Sequence, residues 1–461
     1  MARKFFSMFA AGALFTLVVA AACPAAANQV VTTMQETVAS TMAYNPTIKA
    51  FQEYRQAAEH DLSRARSGWF PRVDARTGVG MEQWSDTTTR PGNSRVHRGF
   101  GGSTARQTAR GYYPRSEASL TISQTIWDGM DTWNRVLIGK GRLDSAESRL
   151  FDNAEGLGLD ATLAHIEIFR QRRIVALAEL NVKNHRAILG SQHERYRSGA
   201  STMADVTQTQ GRLARTEASL AESRAALEVA LANYKRLTGK EPGQVEAPMV
   251  PVNAYPSLES ALAASQTTNL KVKALKSDIG TADAQVELDK APFHPNIFIE
   301  AGPTYNYQVG SSGTDQGGVV VMLRANWNLF NGRYDWYNMK ADKARSRQIR
   351  QELNTQLDLL AEEAEATWAQ LISAQEQAKH FADAVTFSTR TRDMYLEQFN
   401  VGQRSLLDVL DSENELFSSS IQLVTAQQNI IAAHYRLLAL GGGFLANFGL
   451  DRSTLVVNTD R

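Results

Sequence analysis

The sequence predicts an α+β fold, mainly α-helical, in which one structural unit occurs twice. Three observations support this prediction: motifs recur at a constant spacing, short segments alternate between apolar and polar residues, and long segments carry apolar residues at helical spacing.

The overall composition excludes several classes of protein. The chain has 461 residues, with 49 basic and 48 acidic side chains and a formal net charge of +1. This balance argues against a dedicated nucleic-acid binder, which would carry a basic excess. A mean hydropathy of −0.32 argues against a multi-helix membrane protein, and a single cysteine excludes a disulfide scaffold. Length alone would suggest about three ordinary domains.

The N-terminus has the pattern of a secretory signal peptide. Two basic residues precede a nearly continuous apolar segment, 5–22, and Ala25 and Ala27 form an Ala-x-Ala cleavage site. We therefore predict that residues 1–27 are a signal peptide. An uncleaved anchor helix is the alternative, because the apolar segment is almost long enough to span a bilayer. Lipid attachment at Cys23 is disfavoured, since a proline follows it directly.

The rest of the chain is a tandem duplication. The matching pairs, 203 residues apart, are Ile126-Trp127-Asp128-Gly129 with Leu329-Phe330-Asn331-Gly332, Gly199 with Gly402, and Asp205 with Asp408. Upstream, Asn45 matches Asn269 at a spacing of 224, because segment 84–115 is longer than its counterpart. We expect a first repeat at 28–250 and a second repeat with the C-terminal segment at 251–461. Asn45 before Pro46 also fits a helix N-cap followed by the first helical residue.

Each repeat contains two alternating segments that predict strands with one apolar face. Alternation is clearest at 73–81, 118–122, 297–307 and 319–329. Runs of about 9–13 residues are what a tilted transmembrane strand needs. A water-facing antiparallel sheet packed on a soluble core would show the same alternation.

Long helices follow the strands in both repeats. No proline interrupts residues 115–241 or 304–461, and apolar residues recur every three or four positions through 143–168. Heptads run through 206–234 and 409–437, which predicts coiled-coil packing. A helix of about 60 residues would be on the order of 90 Å long.

The number of strands limits how the chain could enter a membrane. Open sheet edges are not tolerated in a bilayer, and known barrels have at least about eight strands. Four strands per chain must therefore be shared with other copies if they span lipid.

The chain resembles the TolC family of outer-membrane channel proteins along essentially all of its mature sequence. The most specific segments are the two hairpin ends, 196–206 and Val-Gly-Gln-Arg-Ser-Leu-Leu-Asp-Val-Leu-Asp at 401–411. The resemblance implies a homotrimer with a shared 12-stranded transmembrane β-barrel, four strands per chain, and a long coiled-coil α-helical barrel in the periplasm. Asn45-Pro46 and Arg197-Ser198-Gly199 are similar to channels of type I secretion systems.

The resemblance also implies a pore constriction made by Asp408 and Asp411. These residues lie three apart at a predicted helix start and project from one face, so a threefold assembly would place six carboxylates around one axis. The alternative is ordinary acidic charge at a helix N-terminus, which is favourable by about 0.3–1 kcal/mol.

Other residues of the hairpin ends receive roles from the same resemblance. Arg404 matches a position that ties adjacent hairpins closed, and Asp205 matches its partner. Phe399 stands where the family commonly has tyrosine, so we expect one hydrogen-bonded gate link to be missing. The residues expected to lie at the hairpin ends and to meet a periplasmic adaptor are Gly199, Ser201, Gly402 and Ser405. A turn that needs backbone freedom would by itself explain the two glycines.

Segment 84–115 is rich in arginine and has Asp86 as its only acid. Its arginines are Arg90, Arg95, Arg98, Arg106, Arg110 and Arg115. At the outer mouth of a barrel they would contact lipopolysaccharide phosphates, whereas a solvated loop is the simpler interpretation.

No motif in the sequence indicates an enzyme, a metal site or a bound cofactor. The chain lacks H-E-x-x-H, G-x-x-x-x-G-K-[ST] and G-x-S-x-G. Three functions stay open. The first is the outer-membrane exit duct of a type I protein secretion system, served by an adaptor and an inner-membrane ABC exporter. The second is the duct of a drug efflux pump driven by protons. The third is a soluble periplasmic coiled-coil scaffold. The first two place the chain in the outer membrane of a Gram-negative bacterium, in contact with lipid and with its helical part in the periplasm.

Overall fold

A computed structural model describes residues 31–83, 112–309 and 315–456. The predicted signal peptide and most of the arginine-rich segment lie outside the described residues. The elements of the first half are β1 (Val31–Thr32), α1 (Met34–Tyr44), α2 (Pro46–Arg66), β2 (Arg72–Glu82), β3 (Tyr113–Trp127), α3 (Asp131–Arg197) and α4 (Met203–Thr238). Those of the second half are β4 (Gln244–Val245), α5 (Leu258–Thr267), α6 (Leu270–Leu288), β5 (Asn296–Tyr307), β6 (Asp315–Asn326), α7 (Tyr334–Asn400), α8 (Leu406–Leu440) and α9 (Phe444–Asn447).

The duplication read from the sequence appears in the backbone. Helices α3 and α7 are both 67 residues long and begin 203 positions apart. Asn45 caps α2 by accepting a hydrogen bond from the Thr47 N–H at 2.9 Å, and Asn269 caps α6 through the Lys271 N–H at 2.9 Å. The predicted N-cap is confirmed. The proposed boundary after residue 250 falls between β4 and α5.

The four predicted strands form one antiparallel sheet in the order β2-β3-β5-β6. Gly302 on β5 allows a close approach to β3, because a Cβ there would lie 1.8 Å from the Leu120 carbonyl oxygen of β3. Strands β2 and β6 are the two outer strands, each paired on one side only among the described residues.

Strands β3 and β6 have other boundaries than the sequence predicted. Strand β6 ends at Asn326, so Trp327 and Leu329 lie beyond it. Strand β3 begins at Tyr113, so Arg115 belongs to the strand and not to the arginine-rich loop. The guanidinium of Arg115 lies 3.3 Å from Glu82 on β2 and 2.8 Å from Glu117 on its own strand. These ion pairs extend the hairpin beyond the apolar alternation that predicted it.

The long helices pack as two antiparallel pairs, α3 with α4 and α7 with α8, and α3 also contacts α8. The ends of the predicted heptads are buried: Val206 and Tyr234 in α4, Val409 and Leu437 in α8. The leucine and isoleucine heptad positions between them are half-buried, since each faces one partner helix within the chain. In the described part of the chain, no helix is both long and apolar enough to cross a bilayer.

The C-terminal segment is fastened to the middle of α3. The buried Glu155 carboxylate accepts hydrogen bonds from the Phe444 N–H at 2.8 Å and the Leu445 N–H at 3.2 Å, and it pairs with Arg452 at 2.6 Å. Phe444 packs beside Tyr435 in the largest apolar cluster of the described residues. These contacts fix the C-terminal segment against α3.

Candidate functional site: the two hairpin ends

The two helical hairpins turn through similar backbones. Gly199 has φ of 75° and Gly402 has φ of 81°, the left-handed region that glycine adopts without a steric penalty. The Ala200 N–H bonds the Arg195 carbonyl at 2.8 Å, and the Gln403 N–H bonds the Gln398 carbonyl at 2.9 Å. Such bonds satisfy carbonyls at a helix C-terminus. The turns predicted at both glycines are confirmed.

The first hairpin end satisfies its own polar groups. Thr202 caps α4, and the Asp205 carboxylate accepts hydrogen bonds from the Thr202 N–H at 3.1 Å and the Thr202 hydroxyl at 2.9 Å. The Ser201 hydroxyl donates a third bond to the same carboxylate at 3.0 Å. These bonds lower the pKa of Asp205 below its ordinary value, and the bond from the Thr202 N–H contributes most to this shift.

The second hairpin end arranges the equivalent residues differently. Ser405 caps α8 by accepting a bond from the Asp408 N–H at 3.2 Å. The Asp408 carboxylate faces Arg404, at 3.6 Å from its Nε, and the Arg404 guanidinium lies 4.0 Å from the ring centre of Tyr395. Within the chain, Arg404 and Asp205 therefore have different partners. A link between them across adjacent protomers stays a prediction.

Phe399 joins the two hairpin ends by packing. Its side chain is 6% exposed and belongs to a cluster with Ile188, Leu406 and Leu410. The Arg195 guanidinium lies 4.6 Å from the ring centre and donates a hydrogen bond to the Phe399 carbonyl at 3.1 Å. The aromatic ring without a hydroxyl thus holds α3 against the end of α7.

Two further ties cross between the repeats, and the sequence analysis missed both. Arg212 of α4 pairs with Asp411 of α8 at 3.0 Å. The buried Glu413 of α8 pairs with Arg392 of α7 at 3.1 Å and accepts a bond from Asn184 of α3 at 3.2 Å. The only sequence signal was a charged residue, Glu413, beside the apolar seam of α8.

The carboxylates expected at the constriction are accessible on the first two turns of α8. Asp408 is 42% exposed and Asp411 is 57% exposed at the side chain. The spacing of three places them on one helix face. No group of three or more His, Cys, Asp or Glu within the described ranges is arranged to hold a metal ion. The site is therefore an array of charges and hydrogen bonds that can attract ions and hold helices together.

Comparison with known proteins identifies the family. The profile of the outer membrane efflux protein family matches residues 38–240 and 261–443. The chain belongs to this family. It is 23% identical to the outer membrane efflux protein BepC of Brucella suis over 342 residues, which cover 74% of this chain and 75% of BepC.

Solved structures show the same fold. The CmeC outer membrane channel of Campylobacter jejuni matches with a TM-score of 0.77 at 13% identity, covering 91% of this chain and 88% of CmeC. The outer membrane protein VceC of Vibrio cholerae matches with a TM-score of 0.73 at 17% identity, covering 89% of this chain and 96% of VceC. The predicted TolC-like architecture is confirmed.

The family settles the coarse function. The protein is an outer-membrane channel of tripartite export systems, with its helical part in the periplasm, and it is not an enzyme. It works as a homotrimer with a periplasmic adaptor and an inner-membrane pump. The soluble-scaffold alternative is thereby excluded.

Proposed function

We propose that this chain forms the exit duct of a drug efflux system, with its periplasmic entrance at the two hairpin ends. The observation that carries the entrance assignment is the second hairpin end, which combines the exposed carboxylates of Asp408 and Asp411 with the ion pair of Arg212 and Asp411 to the first hairpin. Charges gathered at the narrow end of a tube act on every ion that passes, because low-dielectric walls focus the field.

The threefold assembly would repeat these carboxylates around one axis and favour the entry of cations. Arg404 and Asp205 of neighbouring hairpins would hold the entrance closed until the adaptor engages. The surface offered to the adaptor would be formed by Gly199, Ser201, Gly402 and Ser405.

We favour drug efflux over protein secretion, because BepC is described as an efflux protein and aligns with most of this chain. Type I protein secretion, with an ABC exporter as partner, is the second candidate. It is supported by the similarity of Asn45-Pro46 and Arg197-Ser198-Gly199 to channels of such systems. The duct itself does not name its cargo, because the inner-membrane partner selects it.

Deletion of the gene distinguishes drug efflux from type I protein secretion. We expect the deletion strain to become more susceptible to detergents, dyes and antibiotics, and to regain resistance with the wild-type gene, while its secreted proteins stay unchanged. Loss of a secreted protein without any change in susceptibility would favour type I secretion instead.

Planar-bilayer recordings test the entrance. Asp408→Asn with Asp411→Asn should lower the cation selectivity of the purified trimer, because the charges that attract cations are removed. The matched control is Asp358→Asn with Asp383→Asn, two exposed carboxylates of α7 away from the hairpin end. Unchanged selectivity in the first variant would remove the constriction assignment. Arg404→Ala should raise conductance by loosening the entrance.

A further inference from the structure

Each carboxylate of the proposed constriction has an arginine beside it in the same chain. Asp408 lies 3.6 Å from Nε of Arg404, four residues earlier in the chain. Asp411 Oδ1 lies 3.0 Å from Nη2 of Arg212, which belongs to the other hairpin. One chain therefore brings two acids and two bases to the entrance, and not two unaccompanied carboxylates.

These arginines are close enough to change the field at the entrance. The Debye length is about 8 Å at physiological ionic strength. Salt therefore screens only weakly the guanidinium groups that lie 3.0 Å and 3.6 Å from the two carboxylates. Each pair of one carboxylate and one guanidinium carries less net charge than a carboxylate alone, and it acts on a passing ion as a dipole. The expectation of six bare carboxylates overstates the attraction for cations.

The two arginines differ in how firmly they are attached to their partners. Arg404 sits one turn from Asp408 and also stacks on Tyr395, so it moves together with α8 and the end of α7. Arg212 sits on α4, so it compensates Asp411 only while the two hairpins lie side by side.

We propose that Arg212 is a selectivity-determining residue of the entrance. It partly neutralises Asp411 while the hairpins are together, and it leaves that carboxylate bare when the second hairpin moves away from the first. The cation preference of the duct is thereby coupled to the position of the hairpins. This inference rests on the proposed role of the two aspartates at the constriction.

The test measures the reversal potential of the purified trimer in a potassium chloride gradient across a planar bilayer. Arg212→Gln keeps a side chain of similar length and removes the charge, so we expect the reversal potential to shift toward the cation side. Arg215→Gln is the matched control, since Arg215 is exposed on the same helix and makes no ion pair among the described residues. This control should keep the wild-type value. A shift with Arg215→Gln as large as with Arg212→Gln overturns the proposal.

A second substitution shows whether the charges of Arg212 and Asp411 compensate each other. The double variant Arg212→Gln with Asp411→Asn loses one charge of each sign, so its reversal potential should return close to the wild-type value. A double variant that keeps the full shift of Arg212→Gln would overturn the proposal. Arg212→Lys keeps the charge and should keep the wild-type potential; a shift equal to that of Arg212→Gln would also contradict it.

The remaining outcomes separate this inference from the proposed function. If Asp408→Asn with Asp411→Asn leaves selectivity unchanged, the constriction assignment itself fails. If that variant lowers selectivity but Arg212→Gln does not raise it, only the role of Arg212 is overturned.

A further variant tests the proposal if Arg212→Gln does not assemble into a trimer. The exchanged pair Arg212→Asp with Asp411→Arg keeps the tie and moves the positive charge to position 411. We then expect a shift toward the anion side, and an unchanged potential overturns the proposal.

Discussion

The two hairpin ends have the same backbone and hold different side-chain networks. Asp205 and Asp408 occupy equivalent positions, and each lies three residues after a capping hydroxyl. Asp205 turns back into its own cap with the help of Ser201. The residue equivalent to Ser201 is Arg404, and the Asp408 carboxylate lies 3.6 Å from its Nε. The two ends therefore share the turn, whereas only the carboxylate of the first end is hydrogen-bonded within its own cap.

The aromatic residues before the two turns show the same contrast. Tyr196 of the first end is 44% exposed, whereas Phe399 of the second end is 6% exposed beneath Arg195. The second end is thus the point at which the first hairpin holds the second within one chain.

The largest expected effect comes from removing the buried aromatic ring at the second hairpin end. Phe399→Ala should lower the free energy of unfolding by about 3–5 kcal/mol, because it leaves a cavity in a buried cluster. Tyr196→Ala should cost much less, since its ring is largely exposed in the chain. Denaturant unfolding of the detergent-solubilised trimer, followed by circular dichroism, measures both. Equal losses would mean that a neighbouring protomer covers Tyr196 as fully as Arg195 covers Phe399.

A smaller effect should distinguish the two caps. Thr202→Ala and Ser405→Ala should each cost about 1 kcal/mol, the usual value of an N-cap side chain. Thr202→Ala should cost more, because it also removes a hydroxyl bond to Asp205. The same unfolding measurement checks the order, with Thr202→Ser and Ser405→Thr as controls that keep a hydroxyl. A larger loss of stability with Ser405→Ala than with Thr202→Ala would contradict the difference that we describe between the two caps.

The smallest effect is a pH dependence confined to the first end. Hydrogen bonds from Thr202 and Ser201 hold the pKa of Asp205 below its ordinary value of 3.8. The stability they contribute is present above that value and is lost as the pH falls through the lower pKa of the folded state. Asp205→Asn should therefore flatten the loss of stability below about pH 4. An acid unfolding curve identical to that of the wild type would show that the cap does not depend on the charge.

The sequence predicted the features that depend on local pattern. Period-two alternation located the four strands, and Asn45 and Gly402 marked a helix start and a turn because their conformations are set by neighbouring residues. Arg115 was misplaced, because its partner Glu82 lies across the hairpin and a charged pair leaves no apolar alternation to read.

The ties that shape the candidate site could not be predicted in this way. Arg212 and Asp411 are 199 residues apart, and their contact depends on how α4 and α8 cross. The anchor of Arg452 on Glu155 spans 297 residues and depends on the path of the C-terminal segment. A heptad pattern states which face of a helix is buried, but it does not state which neighbour covers it.

The two outer strands of the sheet have a consequence for how the protein is made. Strands β2 and β6 each leave one row of backbone N–H and C=O groups unpaired among the described residues. Such edges recruit any available strand, including those of unrelated chains. The long helices of each hairpin pack against each other within one chain, whereas the sheet needs strands of other subunits to pair its two edges. Maturation should therefore depend steeply on subunit concentration, and a newly exported chain has to be shielded from wrong partners until it finds two copies of itself.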